Sequence, residues 1–221
     1  DLVPLNHLII VIAILFILNL LFVRNYIQTV SLKLDGIPFK IEHCKPLFLL
    51  AIMAFFIMAS EGAIVDWSAL YLKNISNAKA SWIGLGFTIF SATMAFGRFL
   101  GDGIRSQFGS KVLIVVGLIL SMIGFVCVLL VQPLIAVFGF GLVGLGLSVI
   151  IPELFRLGAK TPHIDSSISI SFISGVGFFG FLVGPVLLGF LAEISSLKLS
   201  FLALLIFILI SLMAALTLKR K

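Results

Sequence analysis

Apolar residues in this chain come in long unbroken runs, and polar residues are gathered between them. Seven runs stand out, at positions 5–23, 46–72, 81–101, 111–131, 134–157, 166–192 and 199–218. Each is about as long as the roughly 20 apolar residues a helix needs to cross a hydrocarbon core about 30 Å thick. They do not alternate every second residue, so barrel strands are excluded and membrane-spanning helices are predicted. We letter them A to G. The breaks are legible: polar stretches at 74–79, 101–110, 160–165 and 193–198, and a tight turn at Gln132 and Pro133. Asp165 before Ser166 reads as an N-cap for F. The one long connection is 24–45, and no stretch reads as an appended soluble domain.

Composition agrees with the pattern. Hydrophobic residues make up 61% of the 221 positions, charged residues 11%, and the mean hydropathy is +1.29. A soluble domain is about 45–50% apolar and about 25% charged, so a soluble globule is excluded, as are disorder and a coiled coil. The two cysteines, Cys44 and Cys127, give neither a metal-ligand spacing nor a disulfide framework. The chain begins at Asp1 and is soon inside a full span, with no short apolar region and small-residue cleavage site to mark a signal peptide. The sequence therefore reads as a piece whose beginning is missing.

The net charge of +6 is a matter of sidedness. With seven spans, twelve of the fifteen basic residues fall on one side and only Lys73, Lys79 and Lys198 on the other. The positive-inside rule puts the twelve, and the C-terminus, in the cytoplasm and the N-terminus outside. Nothing in the charge then speaks for nucleic acid.

The spans are not equivalent. A, D and G are smooth and aliphatic, B carries Glu61 and Asp66, and C, E and F are rich in glycine. Glycine lets helix backbones approach closely, so every third span reads as lipid-facing and the two between as interior. That gives triplets B-C-D and E-F-G, with A closing an earlier triplet. An odd number of spans inverts the second triplet relative to the first, a transporter architecture. A short echo agrees: Phe99-Leu100-Gly101-Asp102 ends C, and Phe190-Leu191-Ala192-Glu193 ends F at the opposite side.

Glu61 is the most informative residue. It lies 15 positions after Pro46, about 23 Å along a helix, within the hydrocarbon and past its midplane toward the outside. A lone acid there faces a cavity or a partner by default. Two readings stand, a substrate or proton-coupling carboxyl on the central pathway, and a carboxyl hydrogen-bonded inside the bundle. Asp66 is about 140° around the helix from Glu61 and precedes Trp67 and Tyr71, which resemble an interfacial aromatic belt. At the cytoplasmic end, Arg98, Asp102, Arg105 and Lys111 gather around the C–D connection, and Glu153 and Arg156 share a face of E. They serve either as interfacial snorkelling groups or as a charge cluster that closes one conformation. Pro185, beside Gly184 in F, removes a backbone donor, so a kink is expected there. Hinge and tight packing both account for Gly97, Gly180, Gly184 and Pro185.

Several stretches carry a family resemblance. They are Glu61-Gly62-Ala63-Ile64-Val65-Asp66-Trp67-Ser68-Ala69-Leu70-Tyr71-Leu72 in B, Gly97-Arg98-Phe99-Leu100-Gly101-Asp102 with Phe108-Gly109-Ser110-Lys111 around the C–D loop, Ile151-Pro152-Glu153-Leu154-Phe155-Arg156 in E, and Gly180, Gly184-Pro185 and Gly189-Phe190-Leu191-Ala192-Glu193 in F. On these the chain resembles the C-terminal half of a major facilitator superfamily permease plus the helix before it, in the flavour of the bacterial fucose-permease-like branch and the inner-membrane transporters grouped near it. The loop departs from the superfamily pattern: Ser106 stands where an acid is usual, and Asp102 lies one helical turn earlier.

The resemblance implies an all-α polytopic protein in which 1–23 is the last helix of a missing N-terminal half, 24–45 a cytoplasmic inter-half loop, and 46–221 a six-helix half built of two inverted three-helix repeats. It implies an external gate at the outer end of B, where Asp66 and Trp67 stand, and pairing of the loop's basic residues with an acid in the position of Glu153. The function read from all this is secondary active transport of a small solute by alternating access, proton-coupled, in a bacterial inner membrane. Its partners are the bilayer, the solute, protons and the missing half, with no cofactor, metal or nucleic acid. The alternative is a seven-helix receptor or sensor, against which G has no interior lysine for a retinal and no polar pocket. An enzyme lacks parts, because His7, His43 and His163 all lie at or beyond span ends. No Gly-rich loop ending in Gly-Lys-Ser/Thr is present to drive a pump.

Overall fold

The computed structural model describes residues 4–22 and 46–218. Positions 1–3, 23–45 and 219–221 lie outside the described residues, and with them the expected inter-half loop and the basic residues it carries. The chain divides into two units, Asp1–Pro38 and Phe39–Lys221. The first holds α1 (Pro4–Phe22), 19 residues long. Pro4 opens it, where a missing N–H breaks no helical bond.

The second unit is a helical bundle of α2 (Phe48–Asn74), α3 (Leu85–Phe108), α4 (Ser110–Leu129), α5 (Pro133–Leu147), α6 (Ile150–Ala159), α7 (Ser166–Ile194) and α8 (Leu197–Thr217). α5 and α6 together make one crossing, so among the described residues six spans are long and apolar enough to traverse a membrane, and α1 supplies a shorter apolar stretch, Leu8–Leu21. The protein is an all-α polytopic membrane protein. Asp165 caps α7 as expected, accepting from the Ser167 amide. Hydrogen bonds from the Ser167 hydroxyl and then its amide hold the Asp165 carboxyl below the usual carboxylate range.

Two boundaries differ from the hydropathy reading. α3 runs on through the polar stretch to Phe108, because nothing in 102–108 forbids helix. It ends at Gly109, whose φ of 80° belongs to the left-handed region that glycine enters freely. Gly109 alone turns the chain from α3 into α4. The second difference is that span E is not continuous. Ser148 and Val149 interrupt it, four and three residues before Pro152, which has no N–H for the Ser148 carbonyl and whose ring crowds it. Both residues keep right-handed helical backbone angles, so the interruption is a turn inside one crossing. α7, by contrast, passes through Pro185 as a single helix.

The contacts repeat with the two triplets exchanged. α2 packs most closely on α7 and then on α8; α5 packs on α3 and on α4; α4 and α8 pack on each other. Small residues set these approaches: a Cβ on Gly180 would fall 2.3 Å from the Phe55 carbonyl oxygen of α2, and one on Gly144 would fall 2.2 Å from the Phe90 oxygen of α3. Two of the three glycine-rich spans nevertheless leave their other faces bare, while the third, α5 with α6, is 56% buried. α3 and α7 have 22% of their span residues buried, against 61% for α2 and 44% for α4. Glycine content thus reports one tightly packed face of a helix and not burial all round.

Candidate functional site

Within its apolar spans the bundle holds an acid and a base. Thirteen residues of the 27-residue α2 stand on either side of Glu61, so it lies at the helix midpoint. Its side chain is 9% exposed, and Oε1 has no hydrogen-bond partner among the described residues. Arg98 is 11 residues back from the Gly109 turn, about 16 Å along α3, and inside the apolar span that ends at Gly101. It is exposed, one guanidinium nitrogen lies 3.4 Å from Met94 Sδ, and its charge is within electrostatic reach of Glu61. Gly97, beside Arg98, faces the helix interruption: a Cβ there would fall 2.3 Å from Ser148 Oγ. The acid, the arginine and the interrupted helix therefore share one level, as transporter sites built on discontinuous helices do.

The charge group at the end where α2 begins divides in three. Glu153, 3% exposed, sits between two arginines: its Oε1 is 3.8 Å from Arg105 Nε and 3.7 Å from Arg156 Nε. Glu153 is in the first turn of α6 and Arg156 in its last, each where the helix dipole favours its sign. Lys111 is elsewhere. Its ammonium donates to the carbonyl of Leu216 at 2.8 Å and to that of Leu218, at the negative end of α8. Arg98 is set apart from both, within electrostatic reach of Glu61. The Asp102 side chain lies outside the described ones.

Toward the other end of α2, Asp66 is exposed and lines a shallow groove with Trp67, Leu70, Pro185, Val186 and Gly189. Trp67 is half-buried and its indole donates to the Pro185 carbonyl at 3.1 Å. Gly62 lies against the Phe181 carbonyl, with a built Cβ 2.5 Å from that oxygen; this is the carbonyl that Pro185 leaves without its helical donor. The Gly-Pro stretch of α7 is thus held by Gly62 and Trp67 of α2. Tyr71 differs from the aromatic-belt expectation. It is fully buried, donates to the Val128 carbonyl at 3.0 Å, and packs on Phe201 with ring centroids 4.3 Å apart. Its spacing from Trp67 could not distinguish a lipid-facing ring from one turned inward.

Reading the sequence missed three features. The interruption at Ser148 was signalled by Pro152. The depth of Arg98 was signalled by its distance from Gly109. The buried Ser68, whose hydroxyl has no partner among the described residues, sits in the B stretch beside Asp66 and Trp67. Among the described residues no group of three or more His, Cys, Asp or Glu gathers as a metal site would require.

Comparison with known proteins reaches the same class. No protein-family model matches the chain. An uncharacterised MFS-type transporter of Yersinia pestis is 29% identical over 199 residues, 90% of this chain and 52% of that protein. The membrane protein MosC of Rhizobium meliloti is 32% identical over 155 residues, 70% of this chain and 38% of its own. An uncharacterised transporter of Sinorhizobium fredii is 28% identical over 156 residues, 70% of this chain and 41% of its own. The chain spans about half the length of the first of these relatives, and the matched parts of the other two are shorter. Motifs, helical architecture and relatives agree at the level of the superfamily: the chain resembles the permeases of the major facilitator superfamily.

Proposed function

We propose that this chain forms the C-terminal part of a proton-coupled secondary transporter that moves a small solute by alternating access. Residues 46–221 are the six-helix half, 1–23 the helix before it and 24–45 the cytoplasmic link. The end bearing Arg105, Lys111 and Arg156 faces the cytoplasm, by the positive-inside rule, of a bacterial inner membrane. The other half of the pathway is contributed by a partner half of the same transporter. The relatives named as transporters support this reading, as does the repeat-like exchange of helix contacts.

One observation carries the mechanism: a carboxyl at the midpoint of α2, nearly buried, with one oxygen lacking a partner among the described residues and an arginine's charge within reach. A buried acid with a basic group nearby has two states. Ionised, it is attracted to Arg98; protonated, it leaves Arg98 free to interact with solute or with the opposing half. Exchange between these states couples proton binding to rearrangement. The trio Arg105, Glu153 and Arg156 closes the basic end in one conformation, and Asp66 and Trp67 serve the gate at the other end.

In the complete transporter Glu61→Gln keeps the shape of the side chain and removes the proton site. Proton-driven uptake into membrane vesicles is expected to be abolished, with insertion and expression unchanged. Uptake that persists undiminished and still responds to the proton gradient overturns the assignment.

A further inference from the structure

Ser68 has no part in the cycle just described. It lies seven positions beyond Glu61, two helical turns, about 10 Å along the axis and about 20° around it, so the two side chains share a face of α2. Ser68 is fully buried, and neither its Oγ nor Glu61 Oε1 has a hydrogen-bond partner among the described residues. Three other buried helical serines bond the carbonyl one turn back, Ser60 to Phe56, Ser121 to Gly117 and Ser211 to Phe207; Ser169 of α7, near the basic end and away from this face, shares with Ser68 the lack of a partner among the described residues. The Ile64 carbonyl stands in the same relation to Ser68, and the Ser68 hydroxyl does not take it. A further such oxygen, Ser76 Oγ, lies in the turn just past the end of α2.

Three buried oxygens without protein partners thus run from the middle of the bundle to its Asn74 end. Buried polar groups are paired in native proteins, by ordered water where protein groups do not reach. α2 is pressed against α7 through Ala59 and Gly62, which lie about 100–180° around the helix from Glu61 and Ser68, so the Glu61–Ser68 face is turned away from α7. The charged group that reaches Glu61 is Arg98 of α3; α5 carries no charged residue, and α7 and α8 carry theirs only near one end, Glu193 and Lys198.

We infer that the Ser68 face of α2 carries a file of water through which Glu61 exchanges its proton with the solution at the Asn74 end. The inference rests on the proton-exchange reading of Glu61. At about 2.8 Å per hydrogen bond, about three waters join Ser68 to Glu61. Each water accepts a proton on its oxygen and passes another on. At the last step an O–H bond forms on Glu61 Oε1 as one breaks on the adjacent water, turning carboxylate into carboxylic acid with no other reactant. Ser68 is a positioning residue: its hydroxyl accepts from one water and donates to the next.

The test is time-resolved infrared spectroscopy of the complete transporter in oriented membrane vesicles after a rapid pH drop on one side. The carboxylic-acid carbonyl band of Glu61 is the difference between wild type and Glu61→Gln. The expected result is that the band rises when the Asn74 side is acidified. Ser68→Val is expected to slow that rise by about tenfold, the loss of one hydrogen bond from the file. Ser68→Thr, nearly the same shape with the hydroxyl restored, is expected to rise at the wild-type rate. If no band depends on Glu61, the proton-exchange reading itself falls. If the band is present but Ser68→Val matches Ser68→Thr, or acidifying the opposite side raises it faster, the route falls while that reading stands.

Discussion

Glu61, Ser68 and Tyr71 are all buried in α2, yet each depends on its surroundings differently. Tyr71 is the structural one of the three. Its ring packs with Phe140 and Phe201 in a cluster of three, and its hydroxyl ties α2 to the end of α4 at Val128. The Val128 carbonyl also accepts from the Val131 amide at 3.2 Å, so removing the phenol does not orphan it. Tyr71→Phe is therefore expected to destabilise the protein by only about 0.5–1 kcal/mol, near the measured worth of hydrogen bonds between membrane helices. Tyr71→Ala opens a cavity and is expected to cost about 3 kcal/mol or more. Thermal unfolding of the purified variants in one detergent checks both. A Tyr71→Phe loss as large as that of Tyr71→Ala would mean that the hydroxyl, and not the ring, holds this end together.

Between helices, stability turns on backbone approach. Gly184 and Gly175 both belong to α7, and their surroundings are opposite. A Cβ on Gly184 would fall 2.3 Å from the Ala59 carbonyl oxygen of α2, whereas one on Gly175 meets nothing within 4 Å. The carbonyl cannot swing aside without breaking its own helix. Gly184→Ala is expected to destabilise by about 1–3 kcal/mol through overpacking. Gly175→Ala is expected to be neutral or to stabilise by up to about 1 kcal/mol through helix propensity. Unfolding curves that fail to separate the two variants would remove the α2–α7 contact as an explanation for the glycines. Element positions were largely legible beforehand because hydropathy and capping are local: the N-cap at Asp165 and the span it opens needed no knowledge of the fold. The continuation of α3 to Phe108 was not legible, because polarity marks where a helix leaves lipid and not where it ends. The separation of Arg98 and Lys111 from Glu153 was not legible either. Proximity along the sequence placed them in one group, while their partners, a methionine one turn back and two carbonyls of α8, are chosen by packing.

Across the six-helix unit the two triplets pack on each other throughout, and at the basic end they share one buried carboxylate. Arg105 belongs to α3 of the first triplet, and Glu153 and Arg156 to α6 of the second, so the basic end is drawn together through Glu153 Oε1. If alternating access opens that end, this contact must break once per cycle. Glu153→Gln nearly preserves the side chain's shape and removes the charge that both guanidinium groups approach. An ion pair with one buried partner is worth more than the roughly 1 kcal/mol of an exposed pair, so the balance between closed and open basic ends should move by about tenfold toward open. A cysteine in place of Met94, which lies one turn from Arg98, reports this in a background with Cys44 and Cys127 replaced. A water-soluble thiol reagent supplied from the basic end is expected to modify it about tenfold faster in Glu153→Gln, with the unfolding temperature of the purified protein little changed. An unchanged modification rate means that the trio fastens the fold without governing access. A rate that rises together with a collapse of the unfolding temperature means that Glu153 supports structure first, and that its place between two arginines is a requirement of folding.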